Sequence, residues 1–315
     1  MVPNPYPTIV TPGDLGDELI AFIRSLRADN KAPNTIDAYG GAVVTYARWA
    51  MRHDLPTDIA SITRMHVETW IADILDTRKP STAKQRYSGL KQFFEWYAGA
   101  DNDFRSPMAD MTPPYVPEVE SRVFSIQDVK DILAACGDGS SFVSKRNIAI
   151  VRMLFNTGSR RAEISRLRYS MTDPLDRDID LRNETVRTYE KGRKGNLIGL
   201  DSRTLVAIEE YLRVRKKHRF AAEPWLWLGQ KGRLTDSGVA QMLERIGRRV
   251  GVRNLHAHDF RHTATHHDLA DGISESDVMM KRGWSSPAML RRYARSTGQV
   301  RSIAAYKKAA IGDRI

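Results

Sequence analysis

A proline-rich segment after the first third of the chain limits how the protein can fold. Pro107 is followed by Pro113-Pro114-Tyr115-Val116-Pro117, and prolines at this density interrupt helices and favour extended chain. Because the chain has 315 residues, about two domains are expected. We predict a first domain over residues 13–105, a linker over 106–122 and a second domain over 123–315.

The first domain shows the apolar periodicity of helices and no strand pattern. Apolar residues recur at helical spacing in two stretches, 15–26 and 36–49. Asn34 is predicted to cap the second helix and Ser81 to cap the fourth. The expected structure is a compact bundle of four or five helices.

The second domain mixes helix and strand patterns. Short strand-like runs at 179–181, 185–189 and 197–200, separated by turns, predict a three-stranded antiparallel sheet. Ser125 is predicted to cap the first helix of this domain. Further helices are predicted at 148–155, 204–213, 236–250, 259–270, 275–281 and 287–293. The whole chain is therefore predicted to be mainly α with a small antiparallel β-sheet.

The charge of the chain points to a polyanionic partner. The formal net charge is +11, and residues 1–115 hold 12 Lys and Arg against 14 Asp and Glu, whereas the remainder holds 37 against 24. Basic side chains bind a phosphate backbone with release of counterions. Because the first domain is near neutral, it needs a local basic face to contact DNA. We choose Lys84, Arg86 and Lys91 for that face, although such residues are often simply solvated.

Other features of the sequence favour a cytoplasmic protein. No apolar run reaches the length of about 18 residues that spans a bilayer, so no membrane partner is expected. The N-terminus lacks the features of a secretory signal. The single cysteine, Cys136, is compatible with a reducing compartment.

Four short motifs in the second domain contain residues suited to phosphate chemistry. Arg160 follows Thr157-Gly158-Ser159, and Lys191 lies in a glycine-rich turn. His258 and Arg261 form an H-x-x-R pattern. Trp284 follows Gly283, and a tyrosine stands nine positions later at Tyr293.

Together these residue types can cleave a phosphodiester without a metal or another cofactor. Guanidinium groups bind phosphate oxygens bidentately and remain charged. A tyrosine can form a covalent phosphotyrosine, and a lysine or histidine can protonate the leaving 5′ oxygen. The set therefore predicts DNA strand cleavage by a tyrosine nucleophile, with Tyr293 in that role.

Some neighbouring residues compete for these roles when each motif is considered alone. Arg161 is adjacent to Arg160, Lys194 shares the turn with Lys191, and a second tyrosine lies near the C-terminus at Tyr306. His262 and His266 have an i, i+4 spacing that can bind zinc, but no H-E-x-x-H pattern or nearby cysteine supports a metal.

The four motifs, in this order, resemble those of the tyrosine recombinases, the phage integrase family. Residues 155–167 are similar to the T-G-L-R-x-x-E-L-x-x-L box, 189–194 to the G-K-G-x-K hairpin, 258–265 to H-x-L-R-H-T-x-A-T, and 283–286 to G-H-S-S. The resemblance implies this catalytic set, with Glu163 as a supporting acidic residue: Arg160, Lys191, His258, Arg261, Trp284 and Tyr293.

The resemblance also implies an architecture and a reaction. The first domain is expected to be a helical core-binding bundle and the second a mixed α/β catalytic domain, with no separate arm-binding domain before them. The expected activity is site-specific recombination by a homotetramer on double-stranded DNA attachment-type sites, through a 3′-phosphotyrosine and a Holliday junction. An excisionase or an accessory DNA-bending protein is a further expected partner.

The sequence departs from the family patterns at four positions. Ser159 stands where leucine is usual, Arg282 where leucine is frequent, Glu190 where glycine is frequent, and Trp284 where histidine is commoner. An indole N–H can donate to a phosphate but cannot take up a proton. A relaxing topoisomerase, a telomere resolvase and a non-catalytic DNA-binding regulator remain as alternative functions.

Overall fold

The computed structural model describes residues 15–100, 103–117, 122–189 and 195–290, with isolated positions from 298 to 310. The chain divides into two compact units, Met1–Val119 and Glu120–Ile315. Each unit has its own hydrophobic core. Among the helices of the described residues, none combines the length and the apolar character that a membrane span requires.

The first unit is a helical bundle. In its described residues the helices are α1 (Leu15–Ala28), α2 (Pro33–Arg52), α3 (Arg64–Thr77) and α4 (Pro80–Ala100), with a 3-10 turn at Ile59–Ser61. Aromatic side chains hold the bundle together at its centre. Tyr46 meets Trp70 edge to face at 5.3 Å between ring centroids, and Phe22 meets Phe93 at 5.5 Å.

Two predicted helix caps in this unit are wrong. Pro33 lies at the start of α2 and Ala32 is its N-cap, so Asn34 lies inside the helix. α4 likewise begins at Pro80, which puts Ser81 inside its first turn. Proline has no N–H to satisfy and its fixed φ suits the first helical position, so each helix begins at its proline, two residues earlier than predicted.

The residues that follow α4 pack on the first unit. Met108 is fully buried and Met111 is nearly so. The Tyr87 hydroxyl donates a hydrogen bond to the carbonyl of Met111, and the Phe104 ring stacks on Phe94. The beginning of the predicted 106–122 linker is therefore part of this unit's core, whereas 112–117 is extended and mostly exposed.

The second unit is mixed α and β. Its described helices are α5 (Ile126–Ala134), α6 (Phe142–Thr157), α7 (Arg161–Ser165), α8 (Ser202–Arg215), α9 (Asp236–Arg249), α10 (Ala257–Ala270) and α11 (Glu275–Arg282). Ser125 caps α5, as predicted, because its hydroxyl accepts from the Asp128 N–H at 3.1 Å.

The strands of the second unit are short. β1 (Ile179–Asp180), β2 (Thr185–Tyr189) and β3 (Gly195–Gly199) form an antiparallel sheet in that order, with Val186 opposite both Ile179 and Ile198. A further antiparallel pair, β4 (Leu228–Gly229) and β5 (Gly232–Arg233), was not predicted. The predicted fold class, mainly α with a small antiparallel sheet, is confirmed.

Candidate active site

Arg160 lies at the junction between α6 and α7. α6 ends at Thr157, and Gly158 adopts a left-handed conformation with φ of 58° that turns the chain towards α7. The Arg160 guanidinium donates to Glu163 Oε1 at 2.8 Å, and the Arg160 backbone N–H donates to Glu163 Oε2 at 2.8 Å. The buried Glu163 carboxylate thus fixes both the backbone and the side chain of Arg160.

Arg261 lies on α10 and connects two other motifs. Its Nη1 donates to the carbonyl of Gly158 at 2.9 Å, and its Nη2 donates to the carbonyl of Arg282 at 2.8 Å. The Arg261 side chain is buried. These bonds place its guanidinium against the segment that leads to Arg160 and against the end of α11.

Trp284 follows α11 after a second left-handed glycine, Gly283, with φ of 68°. The Arg261 guanidinium carbon lies 5.0 Å from the centre of the Trp284 ring, within the range of a cation–π contact. The indole packs in a small apolar cluster with Leu269, Val278 and Leu290. The structure therefore brings three of the four predicted motifs together.

His258 lies on α10, one helical turn before Arg261. Its side chain is exposed, and its ring meets that of His262 edge to face at 4.6 Å. α10 begins at Ala257, two residues earlier than predicted. His258 consequently lies inside the first turn of the helix rather than before it.

Lys191 and Tyr293 lie outside the described residues, as does Lys194. The strands on either side of the Lys191 turn are described, and they end at Tyr189 and begin again at Gly195. Close to the turn of this hairpin, the Asn196 side-chain amide donates to the carbonyl of Lys281 at 2.9 Å. This bond connects the hairpin to the last turn of α11.

The competing residues differ in their surroundings from the predicted ones. Arg161 makes a bidentate ion pair with Asp236 of α9, at 2.8 and 2.7 Å. Tyr306 is exposed. Within the described residues, no group of three His, Cys, Asp or Glu side chains has a geometry that could hold a metal ion.

The proposed DNA contacts of the first unit all lie on α4. Lys84 is exposed, and the Lys91 ammonium lies 6.0 Å from the centre of the Tyr87 ring. Arg86 lines a surface cavity of about 690 Å³ together with Arg52 and Arg78.

Sequence reasoning did not identify a buried network behind Arg261. Arg282 donates to Thr157, Thr265 and Asp268, and Asp268 also pairs with Lys281 at 3.1 Å. Burial, followed by the charge of Arg282, lowers the pKa of Lys281. The only sequence signal for this network was Arg282 itself, at a position where the family motif often has leucine.

Comparisons with known proteins agree with this geometry. The phage integrase family profile matches residues 122–299, and that of its N-terminal SAM-like domain matches 19–103. The tyrosine recombinase XerC of Staphylococcus epidermidis is 23% identical over 88% of this chain and 92% of its own length. XerC of Myxococcus xanthus is 25% identical over 89% of this chain and 93% of its own.

Solved structures show the same fold. A XerH site-specific recombinase bound to its difH substrate aligns with a TM-score of 0.70 at 18% identity, covering 94% of this chain and 84% of its own. A lambda integrase tetramer bound to a Holliday junction aligns with a TM-score of 0.65 at 16% identity, covering 86% of this chain and 77% of its own. Since the family profile covers more than half of the sequence, the chain belongs to the phage integrase family, the tyrosine recombinases.

Proposed function

We propose that the chain is a site-specific DNA recombinase that cleaves and rejoins DNA through a 3′-phosphotyrosine intermediate and a Holliday junction. The observation that carries the proposal is the position of Arg261, which is bonded to the Gly158 carbonyl and stacked on Trp284. The segments that carry Arg160, Arg261 and Trp284, the three groups to which we assign phosphate binding, are therefore in contact with one another.

In this proposal Arg160 and Arg261 bind the non-bridging oxygens of the scissile phosphate. Their charges stabilise the additional negative charge of the transition state. Trp284 donates its indole N–H to the same phosphate. Glu163 holds the Arg160 guanidinium in position, because its carboxylate accepts hydrogen bonds from both the backbone and the side chain of Arg160.

The chemical step is an in-line displacement at phosphorus. The Tyr293 oxygen forms a bond to phosphorus while the bond to the 5′ oxygen breaks. The phenol proton passes to His258, and Lys191 donates a proton to the leaving oxygen, which becomes a 5′-hydroxyl. The phosphotyrosine conserves the energy of the broken bond, so rejoining needs neither ATP nor a metal.

Recombination requires this step on two DNA sites held together. Each 5′-hydroxyl attacks the phosphotyrosine of the partner duplex, which produces a Holliday junction, and the second pair of strands then repeats the exchange. We assign double-stranded attachment-type DNA sites, a homotetramer on DNA, an excisionase or accessory bending protein, and a cytoplasmic location. The lambda integrase tetramer bound to a Holliday junction supports the tetramer.

We also assign the DNA-binding and catalytic tasks to different domains. Residues 13–105 are the core-type DNA-binding domain, 106–122 the linker and 123–315 the catalytic domain. The match of the SAM-like profile to 19–103 and of the integrase profile to 122–299 supports this division.

The first experiment identifies the target and tests covalent chemistry together. The full-length protein is incubated with fragmented genomic DNA of its source, denatured with SDS, and the DNA that remains attached to protein is sequenced. We expect covalent adducts that end at a shared sequence. If no DNA remains attached, the protein is a non-catalytic DNA-binding protein and the proposal is wrong.

The nucleophile is then tested on a nicked suicide substrate containing that sequence. We expect Tyr293→Phe to abolish the adduct while binding changes by only a few-fold, because only the hydroxyl is used chemically. Tyr306→Phe is the matched control and should cleave like the wild type. An adduct that persists in Tyr293→Phe would transfer the role to another tyrosine.

Plasmid topology separates recombination from related activities. A plasmid with two sites should yield deletion or inversion products, whereas a plasmid with one site should yield none. Relaxation of the one-site plasmid without two-site products would identify a topoisomerase, and hairpin ends would identify a telomere resolvase.

A further inference from the structure

A charged side chain with no assigned role lies directly behind the phosphate-binding residues. The Arg282 side chain has 0% of its surface exposed. Its Nε donates to Thr265 Oγ1 at 3.2 Å, its Nη1 donates to the Thr157 carbonyl, and its Nη2 pairs with Asp268. One guanidinium thus joins the end of α6, two positions on α10 and the end of α11.

This arrangement is costly, and stability alone does not account for it. Removing a charge from water costs several kcal/mol, and a buried ion pair commonly gives no more stability than apolar residues of the same volume. A buried arginine here therefore calls for a reason beyond filling space.

Three contacts of Arg282 supply such a reason because they lead to Arg261. Arg282 provides its own carbonyl to Arg261 Nη2. Its guanidinium holds Thr157, the neighbour of Gly158, whose carbonyl accepts from Arg261 Nη1. Thr265, which accepts from Arg282, donates in turn to the Arg261 carbonyl at 2.8 Å.

The Arg282 guanidinium packs closely against the backbone of Gly158. A Cβ atom at Gly158 would lie 2.6 Å from Arg282 Cζ, so the guanidinium lies flat against the glycine. Asp268, paired with both Arg282 and Lys281, provides the negative charge that this buried site requires. The Arg282 side chain therefore holds in place both carbonyls, those of Gly158 and of Arg282 itself, that accept hydrogen bonds from the Arg261 guanidinium.

We infer that Arg282 is a positioning residue, which fixes the Arg261 guanidinium where it neutralises the scissile phosphate without touching the DNA itself. The inference rests on the proposed function. A shift of about 1 Å in a catalytic group can cost up to about 100-fold in rate. Loss of Arg282 should therefore slow cleavage while leaving site binding close to that of the wild type.

The test compares two suicide substrates that differ only at the scissile phosphate. One carries the ordinary phosphodiester and the other a methylphosphonate, in which a methyl group replaces one charged oxygen. Cleavage of the uncharged methylphosphonate depends less on a cation, such as Arg261, that neutralises the charge of the phosphate. The readout is the ratio of single-turnover cleavage rates, phosphodiester over methylphosphonate, at saturating enzyme.

We expect Arg282→Leu to lower this ratio roughly tenfold or more, in the same direction as Arg261→Ala. The double variant should have no lower ratio than Arg261→Ala alone, because the two residues act through one group. Arg146→Leu is the matched control. Arg146 is also buried and bonded to a backbone carbonyl, that of Leu228, and its loss should leave the ratio unchanged.

A thermal melt shows whether Arg282→Leu folds. If it does not, the same comparison is made with Arg282→Lys. Arg282→Lys keeps a positive charge for Asp268, but one ammonium group cannot reach Thr157 and Thr265 as the guanidinium does. A lowered ratio in this variant supports the inference.

Two results would overturn the inference. One is a folded Arg282 variant with the wild-type ratio, and the other is a double variant whose two effects multiply. A wild-type protein that forms no covalent adduct would instead refute the proposed function and the inference with it. Failure of the inference alone is recognised when the wild type forms the covalent adduct but either of these two results is obtained.

Discussion

At the scale of single residues, the structure separates two adjacent arginines that the sequence leaves hard to distinguish. Arg161 is held by both oxygens of Asp236, so it ties α7 to α9. Arg160 points its guanidinium at Glu163, and its side chain remains 42% exposed. The Arg161 side chain is exposed to the same extent, 40%, so the two arginines differ in their partners: Arg161 is paired with another helix, whereas Arg160 is paired with the buried Glu163 of its own motif.

We predict that Arg160→Ala lowers cleavage of a suicide substrate by about 100-fold or more, the usual cost of losing one preorganised charge-stabilising group. Arg161→Ala should change cleavage far less. It should lower the free energy of unfolding by no more than about 1 kcal/mol, because the pair with Asp236 is partly exposed. Cleavage that suffers more from Arg161→Ala would show that the catalytic register is wrong.

Gly158→Ala tests how closely Arg282 packs behind the site. The substitution combines the strain of a left-handed residue, about 1–2 kcal/mol, with a Cβ only 2.6 Å from Arg282 Cζ. Gly251→Ala is a matched control, because Gly251 also has positive φ, +72°, but has nothing within 4 Å of the added Cβ. Urea unfolding should show the larger loss of stability for Gly158→Ala. Equal losses would mean that the Arg282 side chain moves aside freely.

At the scale of secondary-structure elements, the sequence predicted those features that depend on contacts between residues close together in the chain, such as helix caps. Ser125 caps α5 because a serine hydroxyl and the N–H three residues later meet within one turn. The caps at Asn34 and Ser81 failed for an equally local reason, since Pro33 and Pro80 start those helices earlier. Attention to proline at the first helical position would have corrected both.

Elements that depend on distant contacts were not predictable in this way. α7 and the β4–β5 pair are too short to show a period. They are fixed instead by bonds such as that from Trp227 Nε1 to the carbonyl of Ile164, 2.9 Å long between residues 63 positions apart. The motifs around Arg160, Arg261 and Trp284 are visible in the sequence, but the Arg282–Asp268 network behind them has no pattern of its own.

The β2–β3 hairpin provides a prediction at this scale. Asn196→Ala removes the bond from the hairpin to the Lys281 carbonyl, so the turn that contains Lys191 should be held less firmly. We expect slower cleavage of an ordinary phosphodiester. A substrate with sulfur at the bridging 5′ position should recover the rate, because a thiolate leaves without a proton.

Leu197→Ala is the control for the hairpin, since Leu197 is the next residue on β3 and its side chain is 61% exposed. It should leave both substrates unaffected. If the sulfur substrate does not recover the rate of Asn196→Ala, the hairpin bond does not act through leaving-group protonation.

At the scale of the whole molecule, the two separate cores imply that each unit can be monitored individually. Cys136 belongs to the core of the second unit, where its thiol donates to the Ile132 carbonyl at 3.3 Å. Burial raises the pKa of this thiol to about 12. At pH 8 a group with that pKa is thiolate only to about 1 part in 10⁴, and the thiolate is the reactive form.

We predict that Cys136 resists iodoacetamide at pH 8 in the native protein and reacts once the second unit unfolds. Mass spectrometry after labelling along a urea series should show modification rising with the unfolding of this unit. Tryptophan fluorescence reports both units, because Trp49 and Trp70 are buried in the first core and Trp227 in the second. A change in fluorescence that does not coincide with labelling therefore reports the unfolding of the first unit. Rapid labelling in the absence of urea would contradict the packing of α5.

The near-neutral first unit raises the question of how it contacts a polyanion. Lys84 and Lys91 lie seven residues apart on α4, two helical turns, and so share one side of it. If both contact phosphates, Lys84→Ala combined with Lys91→Ala should reduce the slope of log affinity against log salt by about 1.8, since each phosphate contact contributes about 0.9. Arg64→Ala on α3, whose guanidinium is paired with Glu68 at 2.7 Å, should leave the slope unchanged.

Gel shifts across several salt concentrations measure the slope for each variant. An unchanged slope in the lysine pair, together with a reduced one in Arg52→Ala combined with Arg78→Ala, would place the phosphate contacts at the arginine-lined cavity instead.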